Sequence, residues 1–266
     1  LDARDAPALA AGRRGVTPAR VQSVGRAAAL LDALADGGWH SLGALAARTG
    51  LAKPTAHNLI GALADAGLVE HDPVRGAYRL GLRLLALGRA VERRLDLLPM
   101  LRPLLLRLSA ETGETVNLAI PRPTDALIVE SLEGTRHGVR VSSYAGTAAA
   151  YHSTACGRAL LAHRPEAERR ALYALGPLAA ATPATITDPA RLEAILAACR
   201  ARGWVEEREE NEPGACCVAA PVLGPGGAVA AVSIAGPAAR MDTAVSTRLG
   251  RMLRDALRPF AERLAA

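Results

Sequence analysis

Apolar residues recur at helical spacing from Val24: Val24, Ala27, Ala28, Leu31 and Leu34 mark one face of an amphipathic helix, and Gly37-Gly38 stop it. Ser41 then stands where an N-cap is wanted. It precedes a second helix with Leu42, Leu45, Ala46 and Thr49 on one face and Gly50 past its end. A third helix has Pro54 near its first position, turns Ala56, Leu59, Ile60 and Leu63 inward, and is punctuated by Gly67. Leu68 to His71 and Ala77 to Leu80 read as short strands joined by the hairpin loop Asp72-Pro73-Val74-Arg75-Gly76. Three helices and then a hairpin predict a winged helix-turn-helix.

The pattern then changes. A helix from Leu82 to about Arg94 bridges to a second helix, punctuated by Pro99 and Pro103, that runs to Thr112. Glu114 to Ile120, Asp125 to Leu132 and Gly138 to Ser143 read as strands. Thr154 to His163 and Pro165 to Leu175 read as helices, and Asp188-Pro189 starts another that Gly203 closes. Trp204 to Glu209, Cys217 to Leu223 and Val229 to Ala235 are strands, and Thr243 to Leu264 is a closing helix. Strands clustered between helices predict an α+β protein of two domains. Residues 1–20 are expected as a disordered arm, 21–81 as the winged helix-turn-helix, 82–97 as a linker helix and 98–266 as a second, α/β domain.

The 266 residues suffice for two domains, and 50% hydrophobic residues supply their cores. Aromatics make up only 3%, so those cores must be built from Ala, Leu and Val. The net charge of +6 permits a polyanionic partner without proving one; an Ala- and Arg-rich coding bias is the better explanation, since Lys53 is the single lysine. Cys156, Cys199, Cys216 and Cys217 form no C-x-x-C pair and have no histidine at zinc-like spacing, which reads as four free thiols in a reducing cytoplasm, with no metal or cofactor. Val218 to Ala239 is uncharged and long enough to span a bilayer, but its prolines and glycines describe two strands and a turn rather than a membrane helix.

With its apolar face inward, the third helix presents Pro54, Asn58, Gly61 and Asp65, flanked by Thr55 and His57. An asparagine there can pair with adenine and a threonine with a thymine methyl. Lys53 precedes the helix within reach of a phosphate, and Arg75 stands at the wing tip. These five side chains, Lys53, Thr55, His57, Asn58 and Arg75, are the candidate readers of double-stranded DNA.

Several segments carry a resemblance. Val21-Gln22-Ser23-Val24-Gly25-Arg26-Ala27, Leu45 to Leu51, Lys53 to Leu59 and Tyr78-Arg79-Leu80-Gly81 resemble the IclR family of bacterial transcriptional regulators. So do His152 to Ala159 and the later blocks Gly203-Trp204, Glu207, Glu212-Pro213-Gly214, Cys217 to Pro221 and Val232 to Pro237. The resemblance implies a GAF-like effector domain, a homodimer or homotetramer on a palindromic operator, and a small organic or aromatic acid as effector. Two departures stand out: Asn58 where the family commonly has Arg, and Ala235 where it often has Ser.

For the effector, the residues themselves point to the helix opening at Thr154. Ser153 is expected as its N-cap, leaving the backbone amides of Thr154, Ala155 and Cys156 for an anion, with Tyr151 as a wall. The resemblance adds Glu207, Cys217, Ser233 and Ala235. Small residues that merely let the helix pack closely are the competing explanation. Of the run Glu206 to Glu210, one or two carboxylates are expected to point inward and the rest to face water. Catalysis is not expected: His152 and Cys156 lie four apart, but a helix capped at Ser153 leaves His152 outside it, and no G-x-S-x-G, H-E-x-x-H or phosphate loop occurs. A second domain that only oligomerises remains the rival to effector sensing.

Overall fold

The computed structural model describes residues 21–92, 97–136 and 138–265. The expected arm at 1–20 and the end of the expected linker at 93–96 lie outside the described residues. The chain divides into two compact units, the first ending at Asp96 and the second beginning at Leu97.

The first unit runs α1 (Gln22–Ala33), β1 (His40–Ser41), α2 (Leu42–Thr49), α3 (Lys53–Asp65), β2 (Val69–Asp72), β3 (Ala77–Leu80) and α4 (Arg83–Glu92). The hairpin β2–β3 is joined by β1, which pairs with β3 through His40–Tyr78 and Ser41–Ala77, giving the antiparallel order β1-β3-β2. Ser41 caps α2 by accepting from Ala44 N–H, and Gly50 closes it in the left-handed conformation at φ 68°. Leu30, Leu34, Leu45, Ile60, Leu63, Val69 and Tyr78 form the core. Of the expected face of α1, Leu34 at its C-cap is fully buried and Ala27 and Leu31 pack half-buried against the core, but Val24 and Ala28 are exposed; Leu30 and Ala33 are the buried residues within the helix. A run of alanines leaves the rotation of this helix weakly specified, and the fully buried Leu30 and Leu34 fix it.

Asp36 locks the turn after α1. It accepts from Gly38 N–H (3.0 Å), His40 Nε2 (2.7 Å) and Arg48 (3.0 Å). Burial alone would raise its pKa, but these hydrogen bonds outweigh it and hold the carboxyl down to about 2.

The second unit begins with α5 (Leu97–Thr112) and then forms a six-stranded antiparallel sheet, order β6-β5-β4-β9-β8-β7. Its strands are β4 (Thr115–Pro121), β5 (Ala126–Leu132), β6 (Ala148–Ala149), β7 (Val205–Arg208), β8 (Ala215–Gly224) and β9 (Gly227–Pro237). The helices are α6 (Ala155–Leu161), α7 (Glu166–Ala174), α8 (Pro189–Arg202) and α9 (Thr243–Ala265). Val116, Leu118, Val218, Val222, Val232 and Ile234 are fully buried on one pleat face, and Ala119, Ala219 and Ala231 on the other, where α6 and α8 pack. Three alanines at that contact let α6 lie close to the sheet. The charge-free stretch read as two strands is indeed β8 and β9, and among the described residues no helix is long and apolar enough to cross a membrane.

The strand expected at 138–143 does not form. Its alternation is strand-like, but side chains take its carbonyls: Thr115 Oγ1 donates to Val141 O (2.7 Å) and Ser131 Oγ to Ser143 O (2.8 Å). The edge of β5 is instead covered by Ala148–Ala149.

Candidate DNA interface and effector site

In the first unit, α3 buries Ala56, Ile60 and Leu63 and half-buries Leu59, so Lys53, Pro54, His57, Asn58 and Asp65 are exposed and Thr55 is half-buried. The end of α3 is held by Arg83, which donates to Ala66 O at 2.6 Å. Arg75 lies on the wing loop, ion-paired with Asp72 at 3.4 Å yet 64% exposed. Two residues missed from sequence join it. The guanidinium of Arg79 lies 4.6 Å from the centre of the Trp39 ring, and that of Arg75 lies 5.8 Å from the same ring. Trp39 sits just before β1, a two-residue strand too short to show in the pattern. The wing therefore has an aromatic base that orients its two arginines.

In the second unit, register brings the candidate effector residues together. Thr115, Ala235, Cys217 and Glu207 are direct partners across β4, β9, β8 and β7. The adjacent row is Ser131, Asn117, Ser233, Ala219 and Val205. Paired residues share a pleat face, so these polar groups lie on the same face as Ala119, Ala219 and Ala231, the α6 side. Thr115, Asn117, Ser233 and Glu207 are all buried, and Cys217 remains partly accessible. The Cys156 thiol is pushed up to about 11 by burial, and burial, foremost, raises Cys217 well above its ordinary value. Both thiols are therefore neutral near pH 7 and poor nucleophiles.

Glu207 is one of two inward carboxylates in its acidic run. Its Oε1 accepts from Glu210 N–H (2.6 Å) and Asn211 N–H (3.1 Å). Burial is the main influence and pushes its pKa up to about 7, only partly opposed by those amides. The other is Glu210, whose Oε1 accepts from Arg158 at 2.8 Å in a buried bidentate pair. Glu206 pairs with Arg208 at 2.6 Å, and Glu209 faces water.

Two expectations at α6 need correction. Thr154, not Ser153, is the N-cap: it is extended, and its Oγ1 accepts from Gly157 N–H at 3.0 Å. Its own N–H is not available to an anion, because it donates to Ala150 O. Ser153 instead reaches across to Asn211 Oδ1 at 3.3 Å, tying this loop to the turn that Glu207 holds. Tyr151 packs in the core and donates its hydroxyl to Arg122 O at 2.6 Å, so that group is already engaged. His152 lies outside α6, with Nε2 2.8 Å from Ala179 O. Asn117 was missed altogether. The strand Thr115–Pro121 is buried throughout its first five residues, and an amide flanked on both sides by apolar residues in such a strand was the available signal.

The model for the IclR helix-turn-helix domain matches residues 23–73, and that for the bacterial transcriptional regulator IclR C-terminal domain matches residues 89–261. The chain belongs to the IclR family. Both units of this IclR-family chain are thereby accounted for as parts of a DNA-binding transcriptional regulator, not of an enzyme. It is 38% identical over 226 residues to the HTH-type transcriptional regulator BhcR of Paracoccus denitrificans, covering 84% of this chain and 80% of that one. It is 32% identical over 238 residues to the transcriptional repressor IclR of Escherichia coli, covering 88% and 86%. Among solved structures, an IclR homologue of Microbacterium hydrocarbonoxydans complexed with 4-hydroxybenzoate superposes with a TM-score of 0.76 at 26% identity, covering 91% of this chain and 98% of that one.

Proposed function

We propose that this regulator is cytoplasmic, binds a palindromic operator as a homodimer or homotetramer, and changes its operator affinity when a small organic acid enters the second unit. Lys53, Thr55, His57, Asn58 and Arg75 read the DNA. The effector lies against the polar rows, with Ser153, Thr154, Ala155, Cys156, Glu207, Cys217, Ser233 and Ala235 around it and Tyr151 forming the apolar wall behind. Residues 82–97 act as the linker that couples the two events. The observation that carries this reading is the buried Asn117 on the α6 face of the sheet, whose Oδ1 has no partner although a buried amide needs one, set beside the buried Thr115, Ser233 and Glu207. The 4-hydroxybenzoate bound by the Microbacterium homologue supports an acid as the ligand class. A ligand acts only through unequal affinity for two conformations.

The test is binding of the purified protein to its own upstream DNA across a salt series, with and without a panel of organic acids. Sequence-selective binding that one acid shifts supports the reading; selective binding that no acid alters favours a second unit that only oligomerises. Within the same assay, Asn58→Ala is expected to relax base preference at one position of each half-site, by about 1–3 kcal/mol, without changing the salt slope. Lys53→Ala is expected to weaken binding to every sequence alike and to reduce the salt slope by about one. A variant of Asn58 with unaltered base preference would exclude it as a reader.

A further inference from the structure

Among the described residues, the polar rows contain one ionisable acid, Glu207, and no basic side chain. Arg158, the buried guanidinium closest in role, is saturated: Nε donates to His152 O (2.7 Å), and its terminal nitrogens serve Glu206 O and Glu210. Glu207 is 4% exposed and uses only Oε1 in hydrogen bonds among the described residues. A second, independent feature marks the same face as built for a ligand. Asn117 is 4% exposed, its Nδ2 reaches Ser233 Oγ at 3.5 Å, and its Oδ1 has no partner. Turning the amide over merely exchanges an unpaired acceptor for an unpaired donor, so either orientation leaves a buried polar atom to be satisfied.

An anionic effector placed here meets a carboxyl group. We propose that the acid binds together with one proton, which is shared between its carboxylate and Glu207, while Asn117 pairs with a second polar group of the ligand. This deepens the effector reading above and rests on it. Two carboxylates in contact cannot both stay ionised, so the second must retain or take up a proton. The groups facing Glu207 set the balance. Glu210, from the turn after β7, opposes its ionisation, and Arg158, from α6, favours it. Cys217 from β8 and Cys156 from α6 are held protonated. The elements α8 and α9 also pack on β7 but send none of the leading charges toward the carboxyl. With the free site titrating at about 7, a bound anion raises that value further. Proton uptake is therefore near zero well below pH 7 and approaches one above it, and affinity falls about tenfold per pH unit on the alkaline side.

The experiment is calorimetric titration of the full chain with 4-hydroxybenzoate, benzoate and pyruvate from pH 6 to 8.5, each in buffers of different ionisation enthalpy. The expected result is about one proton taken up per acid bound at pH 8, falling toward zero by pH 6. Glu207→Gln, which keeps the acceptor for both backbone amides, is expected to bind the same acid with pH-independent affinity and no uptake. Binding without uptake, or uptake that survives in Glu207→Gln, overturns the proposal and leaves the acid-effector reading intact. If none of the three acids binds even at pH 6, both are overturned. Should Glu207→Gln fail to fold, the proton count of the wild-type protein alone decides.

Discussion

Arg158→Ala is expected to destabilise the second unit by about 3–5 kcal/mol, the range for breaking a buried ion pair from one side. Arg158 is 1% exposed, at the centre of α6, and Glu210 is 8% exposed. The guanidinium holds both carboxylate oxygens of Glu210, with Oε2 accepting in addition from Ile186 N–H at 3.2 Å. Truncation therefore leaves a carboxylate buried without its cation and frees the carbonyls of His152 and Glu206. The loop at Thr182 to Ile186 shares the loss, because Thr182 and Thr185 donate to the carbonyls of Glu209 and Glu210. Chemical denaturation read by a probe in the second unit measures the effect. The expected magnitude concerns removal of one partner, not the worth of the pair. Accordingly the double variant Arg158→Met, Glu210→Met, which deletes both charges, is expected to recover much of the stability lost by the single change. A double variant no more stable than Arg158→Ala would mean that the carbonyl contacts, not the stranded charge, dominate.

Legibility in the sequence followed how local each determinant is. Ser41, Gly50, Asp188 and Gly203 act within one helical turn, and each stands where the pattern places it. The charge-free stretch from Val218 resolved into β8 and β9 because proline and glycine impose their meaning locally. What failed depended on distant partners. Val139 and Val141 alternate like a strand, yet whether they join a ladder was decided by Thr115 and Ser131, hydroxyls in other strands. Ser153 and Thr154 are both good caps by type. Thr154 won because Ala150 O, four residues back, accepts from its hydroxyl, while Asn211, distant in sequence, takes Ser153. For the candidate site, Glu207, Cys217 and Ser233 came from resemblance alone, whereas Asn117 required the register of β4 against β9. The charged run around Glu207 spoke for solvation. Only the partners of Oε1 and the burial of β7 reveal why two of its carboxylates turn inward.

Ile60→Ala is expected to cost about 2–5 kcal/mol and to abolish DNA binding while leaving the second unit folded. Ile60 is fully buried on α3, two positions from the exposed Asn58, and it packs among Leu30, Leu34, Leu45, Leu63, Val69 and Tyr78. That cluster ties α3 to α1, α2 and both wing strands. Removing its central side chain leaves a cavity that several stiff elements must collapse to fill. A unit of this size buries a smaller fraction of its surface than a large domain and has little stability to spare, so a loss of that order is enough to unfold it. Because the chain divides into two compact units, scanning calorimetry should show the transition of the first lowered and that of the second unmoved. Ile60→Val, which removes one methylene, is expected to cost about 0.5–1.5 kcal/mol and to retain operator binding. Loss of both transitions together in Ile60→Ala would show instead that the second unit depends on the first for its stability, and would make the shared part of the fold, not α3 alone, the determinant of DNA binding.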